Sequence, residues 1–172
     1  MTTLLLVRHG ETDWNAEGRL QGHTDRPLSE FGRRQAERLA ATLAAEKLDA
    51  IYASDLARAR ETAEIVGERL RLPVVLDPDL REKDWGTWEG LTSMERVGVE
   101  LVCESTEDHS RRMLRALGRI AEEHPSGRVL VVTHGGSMRR VQVEVLGFAM
   151  PVVENCGRWV CEWKDGVAAA VD

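Results

Sequence analysis

Two histidines stand out because each ends an apolar run and is followed by glycine. Leu4-Leu5-Leu6-Val7 leads into Arg8-His9-Gly10-Glu11-Thr12, and Val129-Leu130-Val131-Val132 leads into Thr133-His134-Gly135-Gly136. A buried strand that ends this way delivers its imidazole to the carboxyl edge of a sheet, where open α/β folds bind ligands. The glycine permits close backbone approach or a positive φ just after the histidine. An arginine beside a histidine suits a phosphate, since the guanidinium clamps two oxygens while the imidazole can attack phosphorus. A single strand-end histidine is commonly structural. Two of them point to one shared pocket.

The rest of the chain must bring those strand ends together. Thr3–Val7 reads as a buried strand, and Ser29 begins a helix with Phe31, Gln35-Ala36, Leu39-Ala40 and Leu43 at helical spacing. Asp49–Ala53 reads as the next strand. Asp55 is the expected N-cap of a helix whose stripe is Leu56, Ala59, Ala63, Val66 and Leu70. Val74-Val75-Leu76 follows Pro73 as a strand, and a loop rich in charge and tryptophan occupies 77–90. Ser105 or Thr106 opens a helix that ends at His124-Pro125-Ser126-Gly127, and a further helix follows His134. Trp159–Trp163 and Val167–Val171 read as a hairpin turning at Lys164-Asp165-Gly166. Strands separated by helices predict a three-layer α/β/α sandwich with a mostly parallel central sheet, in one domain over 1–172.

Composition narrows the function classes. The 172 residues are 42% hydrophobic and 30% charged, as in ordinary globular proteins, with a net charge of −6. That sign argues against nucleic acid or an anionic membrane as partner, so an anionic substrate must be drawn by a local Arg and His cluster. Cys103, Cys156 and Cys161 have no metal-ligand spacing and read as reduced thiols. Without a signal-like N-terminus or a transmembrane stretch, the expectation is a cytoplasmic protein. The strand containing Trp159, Val160 and Trp163 is a candidate pairing edge for a homodimer.

Several longer stretches then occur in a fixed order. They are Arg8-His9-Gly10-Glu11-Thr12-Asp13-Trp14-Asn15, Pro27-Leu28-Ser29-Glu30-Phe31-Gly32 and Ser54-Asp55-Leu56-Ala57-Arg58-Ala59-Arg60-Glu61-Thr62-Ala63. Leu80-Arg81-Glu82, Trp88-Glu89-Gly90 and Val132-Thr133-His134-Gly135-Gly136 complete the set. In these the chain resembles the histidine phosphatase superfamily, which also contains the cofactor-dependent phosphoglycerate mutases. The resemblance implies a phosphoglycerate mutase-like fold with His9 as the nucleophile that forms a phosphohistidine. It implies Arg8 and Arg58 as clamps on the phosphoryl oxygens, His134 as a further donor, Glu82 as the proton donor and Asn15 as a phosphate contact. Gln21-Gly22-His23 lies on a loop close to the first motif, so Gln21 and Gly22 join Asn15 as expected substrate contacts. Two arginines and two histidines supply the positive charge, so neither metal nor cofactor is expected.

Competing assignments are weighed on the same residues. Arg60 falls on the far side of a helix from Arg58 and is expected to pair with acidic neighbours. Asp84 and Glu89 rival Glu82, with a solvated loop carboxylate as the plainer role for both. Glu11 is expected to orient an arginine or cap the following helix. Trp14, Trp85 and Trp88 are expected to pack under loops, and His109 and His124 to face solvent.

The chain also departs from the family pattern. Relatives carry a longer insertion between the positions of Gly90 and Ser105, ending in Pro-Pro-Gly-Gly-Glu-Ser. Here Glu104-Ser105 is the remnant, which predicts a reduced lid and an open pocket. No basic and aromatic cluster remains there to grip a second anionic group. The expected activity is therefore hydrolysis of a small-molecule phosphate ester, with a mutase as the alternative. A noncatalytic phosphoester-binding module and a metal-dependent hydrolase with His9, His134 and Glu82 as ligands are the other classes.

Overall fold

Leu4–Val7 and Val129–Val132 have no accessible surface, because both faces of their strands are covered. The computed structural model describes residues 1–148, 150–164 and 166–171. Strands β1 (Thr2–Arg8), β2 (Ala50–Ala53), β3 (Val74–Leu76), β4 (Arg128–Thr133), β5 (Arg158–Lys164) and β6 (Val167–Ala170) form one six-stranded sheet in the order β3-β2-β4-β1-β5-β6. The pairings among β1, β2, β3 and β4 are parallel, and β5 and β6 join antiparallel at one side. The expected turn residue Asp165 lies outside the described residues.

Alternate residues of each central strand face opposite layers, as a pleated strand requires. Beyond the one-turn helix α1 (Asp13–Ala16), Leu5, Val7, Leu130 and Val132 pack on α2 (Glu30–Leu43) and α3 (Ala57–Leu70) through Leu39, Leu43, Ala63 and Val66. Leu4, Leu6, Val129 and Val131 pack on α4 (Thr106–Glu123) and α5 (Gly135–Leu146) through Met113, Leu117, Ile120, Met138 and Val141. This is the α/β/α sandwich. The chain leaves β1 toward one layer and β4 toward the other, so the crevice at their carboxyl ends is a topological switch point. The register pairs Arg8 with Thr133, which sets His9 and His134 side by side one residue beyond.

Several local expectations are corrected by competing contacts. Asp55 does not cap α3; its carboxylate holds Arg81 in a two-pronged pair at 2.7 and 2.6 Å. Leu56 is the N-cap without a side-chain bond, and the Ala57 N–H instead donates to Asp25 Oδ1 at 2.7 Å. Phe31 is exposed beneath Arg34 and Arg38, because Gly32 is the residue that α2 presses onto the turn after β1. His124 is half-buried against Tyr52, with Nε2 3.0 Å from the hydroxyl. Trp159, Val160 and Trp163 lie on β5, which β1 pairs over Arg158–Trp163 and β6 pairs over Cys161–Lys164. Arg60 does face outward, near Glu64 at 3.8 Å. The cysteines are unbridged, Cys161 buried on β5 and Cys156 in the preceding turn.

Gly32 is the tightest of these contacts. A Cβ there would sit 2.0 Å from the Glu11 carbonyl oxygen, and a Cβ on Gly10 would sit 2.6 Å from the Gly32 carbonyl oxygen. The turn carrying His9 is thus clamped backbone to backbone on α2. Gly32→Ala is expected to lower stability by about 1–3 kcal/mol in urea denaturation. An unchanged midpoint would contradict the clamp.

Candidate active site

His9 and His134 meet with ring centroids 5.2 Å apart and planes at 61°. Both are buried, and burial is the main force that pushes both imidazoles well below their ordinary value of 6.5, with Arg58 adding to it. Both rings are therefore neutral near pH 7. Their hydrogen bonds fix the tautomers. His9 Nδ1 lies 2.6 Å from the Gly10 carbonyl oxygen, so it carries the proton and leaves the Nε2 lone pair free. His134 Nδ1 accepts from Arg58 Nε at 3.2 Å, which puts the His134 proton on Nε2.

Arg58 reaches this position from the first turn of α3 and is 1% exposed. One N–H of Nη2 goes to the Gly22 carbonyl at 2.7 Å and one of Nη1 to the Thr24 carbonyl at 3.1 Å. Arg8 Nη1 donates to the Val153 carbonyl at 2.8 Å. Burial lowers both guanidiniums, Arg58 to about 10, with Glu82 acting against the shift in each case. Both stay charged. Arg8 Nε and His134 Nε2 are buried donors without a partner among the described residues.

A cavity of about 120 Å³ opens among Arg8, His9, Asn15, Arg19, Leu20, Gln21, Arg58, Glu82, Trp85, Gly135, Gly136 and Val152. Four of the five expected catalytic residues, Arg8, His9, Arg58 and Glu82, thus line it, and the fifth, His134, packs against His9. Asn15 and Gln21 line the cavity, whereas Gly22 does not; its carbonyl supports Arg58 from outside. Asn15 also closes a capping box with Thr12 at the one-turn helix Asp13–Ala16. The 91–105 segment contributes no wall. It folds back on the loop before it, where Trp88 Nε1 donates to the Val99 carbonyl at 3.0 Å.

Glu82 is held from two elements. Oε2 accepts from the Gly136 N–H at 2.9 Å and Oε1 from the Lys83 N–H at 2.8 Å. A Cβ on Gly136 would lie 2.5 Å from Glu82 Oε1, so a side chain there would displace the carboxylate. Behind Glu82, Arg112 binds the carbonyls of Asp79, Arg81 and Glu82 while paired with Glu104 at 2.7 Å. The remnant Glu104 thereby braces the acid loop.

The rival carboxylates have other duties. Glu89 accepts from the N–H groups of His23, Thr24 and Trp85 and from the Thr24 hydroxyl, tying the 22–24 loop to the loop after Glu82. Asp84 accepts from the Gly86 N–H at 2.8 Å. Glu11 accepts from the Ser29 hydroxyl at 3.0 Å. Trp85 corrects its expectation by facing the cavity, while Trp14 packs against Gly90. His109 is the largest correction. It is 3% exposed and lies 2.9 Å from the Ser137 hydroxyl, because α4 turns this position onto α5. Sequence reasoning also missed Asn155, whose amide donates to the His9 carbonyl at 3.0 Å; an irregular loop offers no periodicity to betray it. Among the described residues, no group of three His, Cys, Asp or Glu side chains is placed to hold a metal, and no helix is long and apolar enough to cross a membrane.

The sequence signature of the histidine phosphatase superfamily (branch 1) matches residues 4–170. The chain belongs to the histidine phosphatase superfamily. It is 38% identical over 152 residues to an uncharacterized phosphatase, PhoE, of Bacillus subtilis, covering 86% of this chain and 79% of that protein. It is 39% identical over 163 residues to a probable phosphoglycerate mutase, GpmB, of Cronobacter sakazakii, covering 86% and 76%. The solved structure of Bacillus stearothermophilus YhfR superposes with a TM-score of 0.90 at 35% identity, covering 98% of this chain and 94% of that one. These matches put this member of the superfamily among phosphoryl-transfer enzymes of the phosphoglycerate mutase-like fold.

The neutral histidines have a consequence for stability. His9 and His134 are held far below 6.5, and His109 is pushed down to about 4, chiefly by burial. Below 6.5 the unfolded chain binds protons that the folded one does not, so stability falls as pH falls. Each imidazole contributes up to about 1.4 kcal/mol per pH unit, so three together give roughly 4 kcal/mol between about pH 7.5 and 5.5. Urea denaturation across that range measures it, and a flat profile would contradict the neutral assignment.

Proposed function

We propose that this chain is a metal-independent phosphomonoester hydrolase that forms a phosphohistidine on His9 from a small phosphorylated metabolite. The observation that carries this reading is the pair of unpartnered buried donors, Arg8 Nε and His134 Nε2, beside a nucleophilic imidazole. A buried donor without an acceptor costs about 1–3 kcal/mol. Phosphoryl oxygens would satisfy both.

In the first half-reaction His9 Nε2 attacks phosphorus while the bond to the leaving oxygen breaks. Glu82 gives its proton to that oxygen, and Arg8, Arg58 and His134 hold the charge spread over the equatorial oxygens. In the second, water attacks the phosphohistidine and Glu82 takes its proton, releasing inorganic phosphate and restoring His9. Two displacements thus replace one difficult displacement.

The names of the relatives, one a phosphatase and one a probable mutase, also favour a second reading as a phosphoglycerate mutase. Hydrolysis is preferred because the short 91–105 segment brings no cationic or aromatic wall to the cavity to retain a second anionic group.

Turnover of p-nitrophenyl phosphate with EDTA present tests the reading, with phosphoglycerates assayed alongside. Wild type is expected to turn over, and His9→Ala to lose at least about a thousandfold in kcat. Turnover that survives in His9→Ala, or that EDTA abolishes, would overturn it. Interconversion of phosphoglycerates faster than their hydrolysis would establish the mutase instead.

A further inference from the structure

His109 is a buried titratable side chain for which the proposed reaction has no use. It sits on α4, yet its neighbours belong to the site. Nε2 lies 2.9 Å from Ser137 Oγ, and that hydroxyl lies 3.2 Å from Glu82 Oε1 and 3.1 Å from the Arg81 carbonyl oxygen. Ser137 is fully buried on the first turn of α5. His109 also lines a second cavity of about 330 Å³, which shares Glu82, Trp85 and Gly136 with the reactive one.

Hydrogen-bond counting then distinguishes the two oxygens of Glu82. A carboxylate oxygen has two lone pairs in the carboxyl plane. Oε1 accepts from the Lys83 N–H and has the Ser137 hydroxyl in reach, which together would use both. Oε2 accepts from the Gly136 N–H alone and keeps one free. Ser137, however, has one proton and three acceptors in reach: Glu82 Oε1, the Arg81 carbonyl and an unprotonated His109 Nε2. Only a proton on His109 Nε2 makes the imidazole the donor and turns the hydroxyl away from it.

We propose that His109 is a positioning residue for Glu82: by donating its Nε2–H to Ser137 it removes itself as an acceptor and leaves the hydroxyl to Oε1 and the Arg81 carbonyl, so that Oε2 is the oxygen that carries the leaving-group proton. The claim rests on Glu82 being the proton donor. The proton passes from Oε2 to the leaving oxygen as the P–O bond breaks and the His9 Nε2–P bond forms. The electron pair of the broken bond stays on the leaving oxygen, and the proton of the attacking water later refills Oε2.

The charges around His109 suit a neutral relay. Glu82 and Lys83 face it from the acid loop, Glu104 and Arg112 from its own helix and the residues before it, and Arg139 and Arg140 from α5 across the shared cavity. His134 is near enough to feel His109 through space. Burial outweighs this balanced set and pushes His109 down to about 4, so the imidazole donates one hydrogen bond without adding a cation beside the acid.

The test is kcat/KM over substituted phenyl phosphates from p-nitrophenyl to p-methoxyphenyl, because poor leaving groups depend most on the acid. His109→Phe and Ser137→Ala are each expected to lower the p-methoxyphenyl value about tenfold and the p-nitrophenyl value less than about twofold. The double variant should match the singles. His109→Gln, whose amide N–H can reach Ser137, should recover most of the loss. Equal losses across the series, or no loss at all, would overturn the proposal; should His109→Phe fail to fold, Ser137→Ala decides alone. Glu82→Gln separates the two claims. If it leaves the leaving-group dependence unchanged, Glu82 is not the donor. If it steepens that dependence while His109→Phe and Ser137→Ala do not, only the positioning role falls.

Discussion

A buried guanidinium and a half-buried one beside two neutral imidazoles, with no carboxylate in contact with either arginine among the described residues, are the constraint around which this structure is arranged. Removing a cation from water costs several kcal/mol unless its hydrogen bonds are replaced. Arg58 recovers them from two loop carbonyls and an imidazole nitrogen, all neutral acceptors. Its charge therefore remains uncancelled at contact distance, and Glu82, Asp25 and Glu89 act on it only through space. A site built this way holds positive potential in a cavity of about 120 Å³ while the chain as a whole is acidic.

That arrangement explains the care spent on the loops. The 22–24 segment has to present carbonyls to Arg58, and Glu89 anchors it through two N–H groups and a hydroxyl. The acid loop has to keep a carboxylate near these cations without letting it collapse into an ion pair. Arg112 does this from behind by taking the carbonyls of Asp79, Arg81 and Glu82, and Gly136 does it from the front by offering an N–H and no side chain. The sheet supplies the rest, since in-register pairing of β1 and β4 fixes the separation of the two histidines.

Much of this is written in the sequence at short range. The apolar runs 4–7 and 129–132, each followed by His-Gly, reveal both strands and the switch point, because a fully buried strand leaves a continuous hydrophobic signature. Arg58 is legible through its motif register. What escapes is set by contacts distant in the chain. Asp55 reads as a cap locally, yet Arg81 from a loop 26 positions on competes successfully for its carboxylate. His109 reads as a surface residue because its neighbours in sequence are charged, and only the packing of α4 on α5 turns it inward. Asn155 and Val152 reach the site from an irregular segment whose pattern carries no period.

The most direct measurement is the structure of the protein with orthovanadate, whose trigonal-bipyramidal form resembles the phosphoryl group in flight. Vanadium bonded to His9 Nε2, with its equatorial oxygens within hydrogen-bond distance of Arg8 Nε, Arg58 and His134 Nε2 and an apical oxygen facing Glu82, is the predicted result. Vanadate bound away from His9, or bound there with Arg8 Nε and His134 Nε2 still unpartnered, would contradict the account.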